Sequence, residues 1–253
     1  MKKVRILEID NNNNSNVFYN SQVVDSVSVK VEGAEEAFSD MMFEMMADDI
    51  RLVCDLGGGD DSKAGLKIIS SSGIPFIYLI PIGNSLAQLQ NAYDTYNMIG
   101  DPENTIFVLN QATSIEKAKE EFVFWYGSDK YGTEAFCDKI KNPKTIVVPR
   151  TPLFELAAMD GVTISELAQF GDGIEKADAM SLFFEKSGGD KEVFKNLKRK
   201  YDQSKLAREY LDGVLSQFKK LIKDTNCIAV ASSKGGVGKS TISYHLAGLT
   251  LQD

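Results

Sequence analysis

The sequence predicts one α/β domain: a single doubly wound, mostly parallel sheet with helices on both faces. Short runs rich in Ile, Val and Leu alternate with helix-like segments along the chain, the pattern of repeated strand–helix units. Those runs are apolar at consecutive positions, as expected of strands covered by helices on both sides. A length of 253 residues, 43% apolar and 25% charged, suits one large domain or two small ones, and nothing in the pattern marks a second domain.

Taken in order, the strand candidates are Val4 to Asp10, Arg51 to Asp55, Ile74 to Ile82, Thr105 to Asn110, Thr145 to Val148 and Cys227 to Ala231. Helix-like segments run from Ala34 to Asp48, Leu86 to Ile99, Ser114 to Trp125, Leu153 to Met159, Ile174 to Glu185, Lys191 to Lys223 and Lys239 to Leu251. Asn11 to Asn14 is the only low-complexity stretch, and it follows a strand. It is therefore expected at the carboxyl edge of the sheet, where open α/β folds bind ligands.

Composition excludes several classes. The longest apolar stretches are far shorter than a bilayer span, and Arg5, Glu8 and Asp10 interrupt any signal-peptide core, so a cytoplasmic protein is expected. Cys54, Cys137 and Cys227 have neither C-x-x-C nor metal spacing, and Cys54 and Cys227 sit in apolar runs as inert core residues. His245 alone builds no zinc site. Net charge is −8, yet residues 186–223 hold eleven Lys/Arg against five Asp/Glu. Trp125, in EFVFWYG, reads as helix packing. Met41, Met42, Met45 and Met46 share one helix face, which core packing or a partner groove would both produce, core being favoured.

The chemistry concentrates at Lys234 to Thr241. An apolar strand, Cys227 to Ala231, leads into SSKGGVGKST and then a segment of helical spacing, the context a phosphate-binding loop requires. Gly235, Gly236 and Gly238, with Val237 between them, let backbone N–H groups turn inward around phosphates. Lys239 would reach the β- and γ-phosphates, Ser240 would ligate Mg²⁺, and the helix start through Thr241 would add its dipole.

With Lys234 added, the pattern K-G-G-x-G-K-[ST] resembles the ParA/MinD family of deviant Walker A ATPases. The resemblance implies Mg-ATP as ligand and an ATP-dependent homodimer, with Lys234 reaching across it to the partner's phosphates. In that family the phosphate loop opens the protein, whereas here it closes it. The order fits a circularly permuted P-loop domain, Asp253 joining Met1 to restore strand–helix–strand progression; a domain swap is the alternative.

The other family motifs then follow in order from residue 1. Asp10 resembles the acidic residue after the family's second strand, and Asn12 stands where the family's D-x-D has its second aspartate. That aspartate helps position the attacking water, so Asn12 implies slow hydrolysis, since an amide cannot accept a proton as a base. RLVCDLGGG resembles the Walker B strand, with Asp55 in the Mg²⁺ shell and Gly57 to Gly59 supplying the mobility of a γ-phosphate sensor. TIFVLNQ puts Asn110 where relatives read the adenine edge, and TIVVPRTPLFELAAMDG puts Pro149 and Arg150 in the base pocket. The likeness is weakest over residues 11–49 and 170–224.

The resemblance implies a switch acting in DNA segregation or intracellular positioning. A ParA-like reading uses nonspecific DNA and a ParB-like partner protein, with Lys195, Lys198, Arg199, Lys200, Lys205 and Arg208 on phosphates; a solvated helix face gives the same pattern. A MinD-like reading lays Leu211, Val214, Leu215, Phe218, Leu221 and Ile222 on a membrane, although packing on the sheet is favoured. A hydrolysis-poor ATP-gated scaffold is the third.

Overall fold

The computed structural model describes residues 3–11, 18–48, 50–221, 226–232 and 238–243. In chain order its elements are β1 (Val4–Ile9), β2 (Val24–Val29), α1 (Ala34–Asp48), β3 (Arg51–Leu56), α2 (Asp60–Ser71), β4 (Ile77–Ile82), α3 (Leu86–Ile99) and β5 (Thr105–Ala112). Then follow α4 (Ala118–Glu121), α5 (Val123–Tyr126), β6 (Lys144–Pro149), α6 (Leu153–Met159), α7 (Ile164–Gln169), α8 (Lys176–Ser187), α9 (Lys191–Leu221) and β7 (Cys227–Val230). A further helix opens at Lys239 and is described as far as Ser243.

The seven strands form one sheet in the order β2-β1-β3-β7-β4-β5-β6, and every neighbouring pair is parallel. The last strand among the described residues is thus the central one, with all four of its residues buried. Strand alternation divides the core. Ile6, Val53, Leu79, Val108 and Val230 point to the face covered by α6, α7 and α9. Leu7, Cys54 and Ala229 point to the opposite face against α1 and α2, while Ile80, Phe107 and Leu109 meet α3 to α5.

The apolar stripe of α9 faces the sheet: Leu211, Val214, Leu215 and Phe218 are buried in the first of these cores, with Leu221 packed at its margin. Ile222 lies outside the described residues. Gln217 from the same helix seals the β6 edge, its Nε2 donating to the Val147 carbonyl at 3.0 Å and its Oε1 accepting from the Val147 N–H at 2.9 Å. An edge capped in this way has no free ladder to offer another strand at that rung. Among the described residues no helix is long and apolar enough to cross a membrane.

Several sequence expectations need correction. β2 was not expected: VDSVSV is polar at half its positions and lies half-exposed at the sheet edge, where one face needs no apolar cover. α2 and α7 were also missed, because each buries only a few apolar residues and is polar elsewhere. The single helix expected from Ser114 to Trp125 is two short turns broken at Phe122, whose ψ of 57° lies outside the helical range. Trp125 is fully packed, its ring 4.9 Å from that of Phe107. Met41 and Met42 are core residues and Met45 packs against them, but Met46, one turn beyond Met42, is exposed. Cys54 and Cys227 are buried and burial raises both thiol pKa values, that of Cys227 to about 11, which keeps them protonated and inert.

Packing of α9 on the sheet sets a clear stability expectation. Leu211→Ala removes a 2%-exposed side chain from that interface and should cost ~2–5 kcal/mol in urea unfolding. A loss under about 0.5 kcal/mol, the range of surface changes, would mean that this face of α9 does not bear on the sheet.

Candidate nucleotide site

The parallel sheet carries its candidate site at the carboxyl ends of the strands. A cavity of about 280 Å³ opens there between β1, β3 and the helix that follows β7. Glu8 lines it from β1 and Asp10 from just past its end, Asp55 from β3, Gly57 and Gly58 from the loop that follows, and Gly238 to Thr241 from the start of the helix after β7. Strand geometry explains the convergence. Glu8 and Asp10 are two apart and share a face with Ile6, and Asp55 shares that face with Val53. Glu8 and Asp55 are register partners on neighbouring strands.

Asp55 is only 2% exposed, and neither of its carboxylate oxygens has a hydrogen-bond partner at ordinary distance among the described residues. Burial raises its pKa to about 7, and the charge of Glu8 adds to the rise. The nearby hydroxyls of Ser240 and Ser243 and the ammonium of Lys239 oppose it. Lys239 is itself buried, which lowers its pKa against the pull of Asp55 and Asp10. Glu8 is held by Ser28, whose hydroxyl donates to Oε2 at 2.5 Å.

Two glycines are fixed by close approach. Gly238 has φ +82°, and a Cβ there would overlap the side-chain amide nitrogen of Asn110. Asn110, near the end of β5, is thus buried against Gly238. Gly57 donates its N–H to the Ile9 carbonyl at 2.7 Å, and a Cβ there would lie 2.9 Å from that oxygen and 3.1 Å from Asp10 Cγ.

Of the residues singled out from the sequence, Asp10, Asp55, Gly238, Lys239, Ser240 and Thr241 meet in one cavity. Asn110 touches it through Gly238. Pro149 ends β6 and Arg150 follows it at the same sheet edge, neither lining the cavity; Arg150 N–H bonds the Ala112 carbonyl at 2.7 Å and the Pro149 carbonyl accepts from the Tyr210 hydroxyl at 2.9 Å. Asn12, Lys234, Gly235, Gly236 and Val237 lie outside the described residues, as do Met1, Asp253 and the junction that a permutation would close.

The six basic residues of α9 do not form one free face. Lys195 pairs with Glu192 at 2.7 Å, and Lys200 with Asp160 at 2.8 Å. Lys205 lies over the Tyr201 ring. Arg208 donates to the Ala168 carbonyl at 2.5 Å and stands 3.5 Å from Asp172. Lys198 and Arg199 are exposed.

Sequence reading missed Glu8 and Ser243. Glu8 carried a signal, an acid inside an apolar strand two residues before Asp10; Ser243, a buried hydroxyl three residues after Ser240, carried none. Comparison of the chain with models of known families, with characterised proteins and with solved structures finds no match. The family resemblance therefore rests on the motif residues themselves.

The buried acid makes stability depend on pH. With its folded pKa raised to about 7 and an unfolded value of about 4, Asp55 is protonated when folded and ionised when unfolded between those limits. The folded state binds more protons there, so its contribution to stability falls as pH rises from ~4 to ~7. In metal- and nucleotide-free protein, Asp55→Asn should flatten that fall and stabilise the fold at pH 8 by up to ~4 kcal/mol. Denaturant melts of both forms at pH 5 and pH 8 measure the difference; equal slopes with pH would contradict it.

Proposed function

We propose that this chain is a ParA-like, Mg-ATP-dependent dimerising ATPase of the ParA/MinD type, acting in DNA segregation or intracellular positioning. The observation that carries the reading is the central strand–loop–helix element, with Lys239 and Ser240 set beside two acidic strand ends in one cavity. A Gly-rich loop with a lysine and a serine at the helix start is suited to phosphate, because backbone N–H groups and the helix dipole face the same anion.

The residues also fit magnesium. The two Asp55 oxygens are buried without a hydrogen-bond partner among the described residues, and the Ser240 hydroxyl is close by. Mg²⁺ takes few protein ligands and keeps water and phosphate oxygens in its shell. When bound, Mg²⁺ would neutralise charge on the β- and γ-phosphates. Asp55 and Ser240 would hold it, Lys239 would contact the phosphates, and Gly238 would admit them.

Asp10 lines the same cavity, so a carboxylate that can orient water and take its proton is at hand whatever Asn12 does. This favours turnover over a scaffold that binds ATP without hydrolysing it. For the surface on which the switch acts, DNA is the better supported. The apolar stripe of α9 is spent on the sheet, while Lys198 and Arg199 remain exposed for phosphate contacts. A ParB-like protein is the corresponding partner.

Lys239→Ala should abolish the thermal stabilisation by Mg-ATP, and Lys234→Ala should keep nucleotide binding but lose ATP-dependent dimerisation in sedimentation. Normal dimerisation of the Lys234 variant would remove the deviant-loop assignment. Replacing Lys198 and Arg199 together by Ala should weaken ATP-dependent binding to nonspecific duplex DNA and reduce the slope of log K against log salt by roughly two. An unchanged slope would remove this part of α9 from the DNA face.

A further inference from the structure

Beyond the cavity, a small polar tie joins two of its walls. Asn11, the residue after Asp10, donates its backbone N–H to Asp61 Oδ2 at 2.9 Å and its side-chain Nδ2 to Asp61 Oδ1 at 2.6 Å. Its remaining side-chain atom, Oδ1, accepts the N–H of Val31 at 3.2 Å, so the amide is held in one orientation. Asp61 lies in the first turn of α2, directly after the glycine loop that follows Asp55. The second rung is the Gly57 N–H to the Ile9 carbonyl at 2.7 Å. Asp10 is therefore bracketed. One bond precedes it and a bidentate pair follows it, and both go to the segment 57–61.

We propose that Asn11 is a positioning residue that makes the end of β1 and the glycine loop after β3 move as one body, so that contact of a γ-phosphate with residues 57 and 58 is transmitted to Asp10. The inference rests on the nucleotide reading of the cavity and adds to it a named coupling between two of its walls. The geometry favours coupling over simple anchoring. Asp10 bonds the Val29 carbonyl of β2 through its own N–H at 3.2 Å, and the bonds on either side of it, both to one short segment, fix its orientation to that segment as well. Gly57 reinforces this, because its Cα hydrogen faces Asp10 with no room for a side chain. The tie is also specific in chemistry. It needs a side-chain donor at one end and an acceptor at the other, and it lies at the rim of the fold, with Asn11 exposed and Asp61 half-buried.

That chemistry permits a reciprocal test. N11D places two carboxylates face to face and removes the donor. D61N leaves a donor facing a donor in either orientation of the new amide, since its nitrogen must meet either Asn11 Nδ2 or the backbone N–H of residue 11, and Asn11 cannot flip because its Oδ1 serves Val31. The double variant N11D/D61N restores all three bonds with the side-chain direction reversed: the new amide at 61 donates to one carboxylate oxygen at 11, the other oxygen keeps Val31, and the backbone N–H of residue 11 keeps its acceptor. The measurement is the ratio of affinities for a fluorescent non-hydrolysable ATP analogue and for fluorescent ADP, both with Mg²⁺, alongside the melting temperature without nucleotide. Each single variant should lose about tenfold of the preference for the triphosphate, ~1.4 kcal/mol, with ADP affinity within about twofold of wild type. The double variant should recover most of the loss. Should N11D fail to fold, Asn11→Ala replaces it for the single-variant arm. A full triphosphate preference in folded single variants, or a folded double variant that does not recover, overturns the coupling. A wild-type protein that binds neither nucleotide overturns the nucleotide reading itself, which is a different result.

Discussion

Burial of Asp55 beside Glu8 is the constraint around which the site is arranged. Two acids on adjacent strands at the same register level repel each other and lose hydration together. A chain keeps such a pair when something cationic completes it, and the complement here is arranged from one direction. Lys239 and Ser240 arrive from the helix after β7, and β7 is adjacent to β3, so the strand that carries Asp55 and the strand that delivers the lysine are hydrogen-bonded neighbours. The Ser28 hydroxyl holds the Glu8 carboxylate from the other side. Burial outweighs these cationic and hydroxyl partners and leaves Asp55 with a raised pKa.

The core exists to hold that edge still. The sheet buries its central strands from both faces, and α9 spends its apolar stripe on one of them while Gln217 closes the β6 edge. α7 contributes in a less visible way. Glu166, which completes the capping box at its start, also accepts the Ser21 hydroxyl and the Gln22 N–H. The stretch leading into β2 is thereby anchored, and it brings Ser28 into register with Glu8. On the other side of the cavity, Asn11 and Asp61 tie the end of β1 to the start of α2. The walls of the cavity are thus held by polar contacts at their rims as well as by the apolar core. Rim contacts of this kind can open locally without unfolding the sheet.

Basic residues on α9 show how tertiary context divides a sequence cluster. Six positive side chains within fourteen residues read as one electrostatic surface. Lys200 and Arg208 instead reach back to the turns around α6 and α7, and Lys205 lies on the ring of Tyr201. Their aliphatic stems and charges are used in docking α9, which leaves a smaller exposed set near its amino-terminal half.

The sequence alone determined the alternation of strand and helix and the central apolar strands, because continuous apolar runs are a local pattern, and it singled out the Gly-Lys-Ser segment between strand and helix as the candidate site. It also placed Asp10, Asp55 and Ser240 at element ends that a parallel sheet brings to one edge. It did not reveal β2, α2 or α7, whose burial is partial and whose composition is therefore mostly polar. Nor did it reveal that Glu8 belongs to the cavity, or that Asn11 is bonded to Asp61 fifty residues away. Those relations depend on strand order and register: pairing β1 with β3 and inserting β7 beside β3 decides which side chains share a face and an edge. Local periodicity carries no information about which strand will be the neighbour, so that part of the site was settled only when the sheet was assembled.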